Sequence, residues 1–353
     1  MSDLKDRLTA MIRASGPISV AAYMDVCLHA RRHGYYATRP GLGEDFITAP
    51  ETSQVFGELI GLWAAHEWQH MGAPEQFSLI EIGPGRGTLM ADALRATTRV
   101  PGFQAAADLC FIEASPILKS HLTERFAASD IRFLSNLDAV PTDRPFLLIA
   151  NEWLDCLPVQ QFVKVGEAWH ERVIGLDADG ALQFGLNSSA LPDEISPSGP
   201  QSSLEIQPGL KTLTETLQHL FNMTTGRALF IDYGPADAPP EDTLRSYSKG
   251  EQIDPLTAPG RSDLTCDVDF HRLGQLANTL GLRVDGPISQ SEFLLTLGAE
   301  ARLNQLAKQH PDQADEIYAR VRKLVDPAEM GTRFQVLAIG PSDLPPATAL
   351  PAI

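Results

Sequence analysis

From residue 77 onward the chain alternates short, near-continuous apolar runs with segments of helical period, and this alternation constrains its fold more than any other feature. The runs SLIEIG, LCFIEAS, IRFLS and FLLIANEW are strand-sized and too uniformly apolar for strands with one wet face. A strand covered on both sides needs no polar alternation, and helices between strands both supply the covers and make neighbours parallel. The expected fold is therefore α/β, a doubly wound sheet with helices at residues 88–98, 116–127 and 210–223. RALFIDYG continues the sheet, a helix in VDFHRLGQLANTLGL and two more reach residue 326, and FQVLAIG closes it.

Outside that pattern, residues 1–75 read as a helical N-terminal cap with an acceptor-side loop. Met11, Ile12, Val20, Tyr23 and Met24 are spaced for amphipathic helices, and Ser15-Gly16-Pro17 makes a turn. The Gly- and Pro-dense stretch RRHGYYATRPGLGEDFITAP reads as an ordered loop of the kind that carries binding residues. Thr48-x-x-Glu51 reads as a capping box opening a helix to about residue 70. QQFVKVGEAWHERVIGL and GALQFGL read as an inserted antiparallel β-hairpin, and the Pro- and Ser-rich residues 187–209 as a mobile surface loop. The α/β domain thus spans 76–341 with an insertion at about 160–209, and 342–353 form a flexible, frayed tail.

Composition narrows the function. Hydrophobic residues at 43% and charged residues at 21% exclude fibrous and disordered classes. A formal net charge of -17 lacks the basic footprint that a phosphate backbone requires, which argues against nucleic acid; a basic substrate suits it better, but the favoured reading of the acidic balance is that it only maintains solubility. Cys27, Cys110, Cys156 and Cys266 lie far apart with no C-x-x-C pair, so neither a thiolate zinc site nor a disulfide framework is indicated. The opening MSDLKDRLTAMIRAS is too polar for a secretory signal and carries acids that a transit peptide avoids. No run is long enough to span a membrane. The expectation is a cytoplasmic, bacterial protein.

The strongest local motif is Glu81-Ile82-Gly83-Pro84-Gly85-Arg86-Gly87-Thr88-Leu89, between a strand and a helix. Glycines there allow positive φ and let a ligand approach the backbone at the carboxyl end of the sheet. The spacing is G-x-G-x-G, and Thr88 stands where a dinucleotide fingerprint needs its third glycine. Pro84 also removes one N–H from any pyrophosphate cradle, so a ligand without phosphates is favoured. Glu113, at the end of the next strand, is placed to accept hydrogen bonds from both ribose hydroxyls. This order looks like the S-adenosyl-L-methionine site of the Rossmann-like methyltransferases, against the plainer reading of a tight turn.

After FLLIA, the residues Asn151, Glu152 and Asp155 fall on the same sheet edge. Carboxylates can bind a guanidinium bidentately and concentrate its charge, which suits Glu152 and Asp155 to an arginine acceptor; strand-end capping is the competing role. Asp232 and Tyr233 form a weaker second pair. His66-Glu67-Trp68-Gln69-His70 matches the zincin H-E-x-x-H on a helix. No downstream ligand pattern follows it, and both histidines continue the helical stripe Val55, Leu59, Leu62, so no metal is expected.

The segments HGYYATRPGLGEDFITAPETSQVFGELIG, LIEIGPGRGTLMADALR, IANEWLDCLPVQQF, LFIDYG and PGRSDLTCDVDF together resemble the MidA family. That family includes mitochondrial complex I assembly-factor protein arginine methyltransferases and bacterial relatives. The resemblance implies S-adenosyl-L-methionine as cofactor, held by Glu81, Gly83, Pro84, Gly85, Gly87, Glu113 and Asn151. It implies an acceptor pocket near Asn151 and Glu152, and methylation of an arginine on a respiratory complex I subunit. The alternatives are a methyltransferase for another protein or small molecule, and a non-catalytic assembly chaperone that keeps the cofactor fold.

Overall fold

The computed structural model describes residues 4–38, 48–189, 191–192, 195, 201–235 and 239–351. The N-terminal layer contains α1 (Leu4–Ser15), a two-residue strand β1 (Ile18–Ser19), α2 (Val20–His29), α3 (Tyr35–Thr38), α4 (Ala49–Thr52) and α5 (Gln54–His70). Thr48 precedes α4, but its side chain makes no capping bond. The long helix opens one turn later, at Ser53, whose Oγ accepts the Val55 N–H at 3.3 Å. Of the loop RRHGYYATRPGLGEDFITAP, residues 39–47 lie outside the described residues.

The chain then enters the sheet through β2 (Phe77–Ile82), α6 (Thr88–Thr97), α7 (Phe103–Ala106), β3 (Ala107–Ile112), α8 (Pro116–Arg125), β4 (Ile131–Leu134) and β5 (Phe146–Asn151). After β6 (Gln160–Val165), β7 (Ala168–Leu176), β8 (Leu182–Asn187) and β9 (Ser203–Ile206) it returns by α9 (Pro208–Met223) to β10 (Gly226–Tyr233). The closing part comprises β11 (Arg245–Ser248), β12 (Glu251–Ile253), β13 (Asp263–Thr265), α10 (Phe270–Thr279), β14 (Arg283–Ser289), α11 (Gln290–Thr296), α12 (Ala299–Gln309), α13 (Ala314–Val325) and β15 (Phe334–Gly340).

The central sheet runs β14-β15-β10-β5-β2-β3-β4. From β10 to β4 all neighbours are parallel, while β15 is antiparallel to both β10 and β14. Every residue of β2 and β5 is buried, because alternate side chains enter two separate cores. Leu79, Leu147 and Ile149 pack with the helices of one face, and Ile80, Leu148 and Ala150 with α9 and α10 on the other. Burial on both faces explains why the strands carry no polar alternation.

Three features differ from the sequence reading. The insertion is a five-stranded sheet of β1, β6, β7, β8 and β9, so Ile18–Ser19 and Ser203–Ile206 join what reads locally as a hairpin. Of the loop at 187–209, residues 190, 193–194 and 196–200 lie outside the described residues. The polar strand β14 and the small sheet β12-β11-β13 carry too little apolar pattern to be read from sequence. Finally, the segment after β15 is packed, with Ala347 and Leu350 buried. Its backbone binds a buried ion cluster: Arg227 pairs with Glu67 and Asp285, both at 3.1 Å, and donates to the Pro345 carbonyl at 2.6 Å. Glu67 and Asp285 in turn accept the N–H groups of Thr348 and Ala347.

One close approach positions the cofactor turn. A Cβ on Gly61 of α5 would lie 2.5 Å from the Cα of Ala93, so only glycine lets α5 press onto α6, the helix that the turn opens.

Candidate active site

Four neighbouring strands deliver their carboxyl ends to one edge: β3 ends before Glu113, β2 before Gly83, β5 at Asn151 and β10 at Tyr233. The sequence-predicted residues therefore converge, and a cleft lined by Glu81, Gly83, Pro84, Gly85, Asn151 and Glu152 opens there. Glu113 follows β3, next to the strand that leads into the glycine turn; its carboxylate accepts the Ser115 N–H at 2.7 Å.

Gly83, Gly85 and Gly87 have φ of 62°, 53° and 74°, so the turn between β2 and α6 uses the left-handed region three times. Such a backbone is open to glycine and strained for other residues. At Gly87 space is also exhausted: a Cβ would meet Leu122 of α8 and Phe126 just after it at 2.7 and 2.8 Å. The third glycine thus serves helix packing, and the first two shape the cleft.

Two buried polar atoms at this edge have no partner among the described residues, Glu81 Oε2 and Asn151 Oδ1. Buried acceptors without donors are costly, and a ligand bearing amine or hydroxyl donors would satisfy them. Burial pushes the Glu81 carboxyl up to about 8, opposed by Arg125 and reinforced by Glu113. Burial likewise raises Glu113. An amino-acid-plus-nucleoside cofactor of net positive charge fits this donor-hungry, acidic edge.

Glu152 has φ 49°, an uncommon conformation for a residue with a side chain. Its N–H donates to the Ile231 carbonyl at 2.8 Å, and its Oε1 accepts the Ala49 N–H at 2.9 Å and Asn151 Nδ2 at 3.2 Å. Burial lifts its carboxyl to about 7. Asp155 Oδ2 accepts the hydroxyls of Tyr233 and Thr265, each at 2.7 Å, and the two hydroxyls also contact each other. Burial raises Asp155 as well. Asp232 is buried below the cleft and does not line it.

The sequence reading missed Tyr36, Asp263 and Thr265. Tyr36 and Asp263 line the same cleft, and the Tyr36 hydroxyl donates to Asp263 Oδ1 at 3.1 Å. They come from α3 and β13, more than 220 positions apart in sequence. The only sequence signal for them was their place inside the segments HGYYATRPGLGEDFITAPETSQVFGELIG and PGRSDLTCDVDF. Glu51 is tied to the start of α6 by the Thr88 hydroxyl at 2.6 Å.

The H-E-x-x-H match has a structural explanation. Glu67 is buried against Arg227 and the C-terminal backbone, while His66 and His70 face solvent. Glu67 is committed to Arg227 and to the Thr348 N–H, and its Oε1 also lies 3.5 Å from His70 Nδ1.

Comparison with known proteins agrees with this geometry. The profile of a family of S-adenosyl-L-methionine-dependent methyltransferases matches residues 59–288. The chain is 35% identical to the Drosophila melanogaster "Protein arginine methyltransferase NDUFAF7 homolog, mitochondrial", over 97% of this chain and 85% of that protein. It is also 35% identical to the human "Protein arginine methyltransferase NDUFAF7, mitochondrial", over 94% and 81%. A crystal structure from Burkholderia thailandensis bound to S-adenosyl-homocysteine superposes with a TM-score of 0.86 at 26% identity, covering 98% of this chain and 94% of that one. The expectation of a cytoplasmic location is corrected by these relatives, which are named as mitochondrial proteins. The absence of a transit-peptide pattern at the start of a sequence was too weak a basis for it.

Proposed function

Because the chain belongs to this family of S-adenosyl-L-methionine-dependent methyltransferases, we propose that it methylates an arginine side chain of a protein, a subunit of respiratory complex I. The observation that carries the acceptor class is the half-buried carboxylate pair Glu152 and Asp155, lining the cleft on the sheet edge beside the glycine turn. A cationic, planar acceptor is the partner that compensates such carboxylates most completely.

In this reading Glu113 accepts the ribose hydroxyls, Glu81 and Asn151 meet the donors of the amino-acid part, and Gly83 and Gly85 admit the cofactor against the backbone. The bound cofactor supplies an electrophilic methyl group on a sulfonium sulfur. Glu152 holds the acceptor guanidinium and draws its charge towards the nitrogens it contacts, so the attacking nitrogen regains lone-pair density. The methyl group would leave sulfur as its S–C bond breaks, giving the neutral thioether, and the nitrogen that takes it would lose a proton, which a carboxylate with a raised affinity for protons is suited to receive. Asp155, held by Tyr233 and Thr265, supplies the second negative charge.

The test is mass spectrometry of purified complex I subunits after incubation with this protein and S-adenosyl-L-methionine. A new methylarginine, absent without the enzyme, is the expected result. Cofactor binding with no methylated arginine on any subunit would overturn the proposed acceptor and favour the assembly-chaperone reading.

A further inference from the structure

We infer that Asp232 is the positioning residue of the acceptor turn: it touches no reacting atom but fixes the backbone that aims Glu152 and Asp155. The inference rests on Glu152 being the acceptor-holding carboxylate. Asp232 is fully buried near the end of β10. Its Oδ2 accepts three consecutive backbone N–H groups, those of Trp153 at 3.0 Å, Leu154 at 2.8 Å and Asp155 at 3.2 Å. Its Oδ1 accepts the N–H of Tyr233 at 2.9 Å.

The arrangement answers a local problem. Strand β5 pairs with β10 as far as Asn151 opposite Ile231, and the chain then turns away. Leu154–Cys156 form a single 3-10 turn, whose leading N–H groups have no partner within it. Between strand and turn stands Glu152 with φ 49°. Its own N–H is held by the Ile231 carbonyl and the next three by the Asp232 side chain, so adjacent residues of β10 pin both sides of the left-handed residue. With four donors on its two oxygens and no access to the cleft, Asp232 is not itself an acceptor-binding group.

Asp232→Asn can offer an oxygen to the three turn amides or to Tyr233 N–H, but not to both, and it loses the charge. The variant is expected to bind S-adenosyl-homocysteine with parental affinity, while kcat on purified complex I subunits falls by about 50-fold and KM for S-adenosyl-L-methionine stays within about twofold. In a Glu152→Gln background the same change should cost less than about threefold, because two residues acting through one arrangement are not additive. Parental kcat in Asp232→Asn, lost S-adenosyl-homocysteine binding, or full additivity with Glu152→Gln would each overturn the assignment. Should the Asn protein not fold, hydrogen exchange in the parent decides: the amides of residues 153–155 are expected to be protected, and free exchange there overturns the role. Parental turnover in Glu152→Gln alone defeats the acceptor reading instead, so the two failures are distinct.

Discussion

Glu152 accepts the backbone N–H of Ala49 at 2.9 Å, so the carboxylate at the end of the fourth parallel strand is also where the N-terminal layer docks onto the sheet edge. The bond joins residues 103 positions apart and makes one side of the cleft depend on helices that precede the sheet. Packing from two layers removes part of the water around the carboxylate, and this desolvation is what lifts its proton affinity.

Glu152→Gln keeps the shape and one acceptor oxygen but removes the charge. Turnover on the acceptor should fall by about two to three orders of magnitude, the usual loss when an electrostatic contact acting in the transition state is removed. Calorimetry with S-adenosyl-homocysteine should give near-parental affinity. Turnover close to parental would show that another group holds the acceptor.

The pH dependence follows from the same residue. Glu152 must be ionised to hold a cation, and burial has moved its carboxyl up to about 7. The charged form is thus lost as pH falls through about 7, far above the ordinary carboxylate range. In the free enzyme kcat/KM should drop by about tenfold per pH unit on the acid side of that value. A profile flat down to pH 5 would contradict the requirement for an ionised Glu152.

The glycines of the turn should separate by phenotype. Gly85→Val puts a β-branched residue at φ 53° in the cleft wall, and S-adenosyl-homocysteine binding should disappear from a folded protein. Gly87→Val adds a clash with Leu122 and Phe126 to a φ of 74°, so its main effect should be on stability. A larger drop of the unfolding midpoint in the second variant, with lost calorimetric heat in the first, is the expected pair of results.

Arg227, Glu67 and Asp285 form a buried charge cluster that also holds the C-terminal segment. Arg227→Leu leaves the buried Glu67 without its guanidinium and Asp285 with Arg283 alone, and should cost about 3–5 kcal/mol in urea unfolding. His66→Ala, on the exposed face of the same helix, should change stability by less than about 0.5 kcal/mol and leave cofactor binding intact. Equal losses in the two variants would refute the division of roles within H-E-x-x-H.

By itself the sequence determined the parallel sheet, its apolar strands, the glycine turn, and the placing of Glu113 and Glu152 at strand ends. These are local properties: a strand buried on both faces writes its own apolar run, and a turn that needs positive φ writes its glycines. Tertiary structure alone decided what depends on distant partners. Asp232 reads as one more strand-end acid, and only the packing of β10 against residues 153–155 turns its side chain into an acceptor for their amides. Tyr36 meets Asp263, and Glu67 meets Arg227 across 160 positions, because helices and strands laid down separately close over the same edge or core. Hydrogen bonds and ion pairs of that kind act over a few ångströms, whereas periodicity reports only on neighbours along the chain.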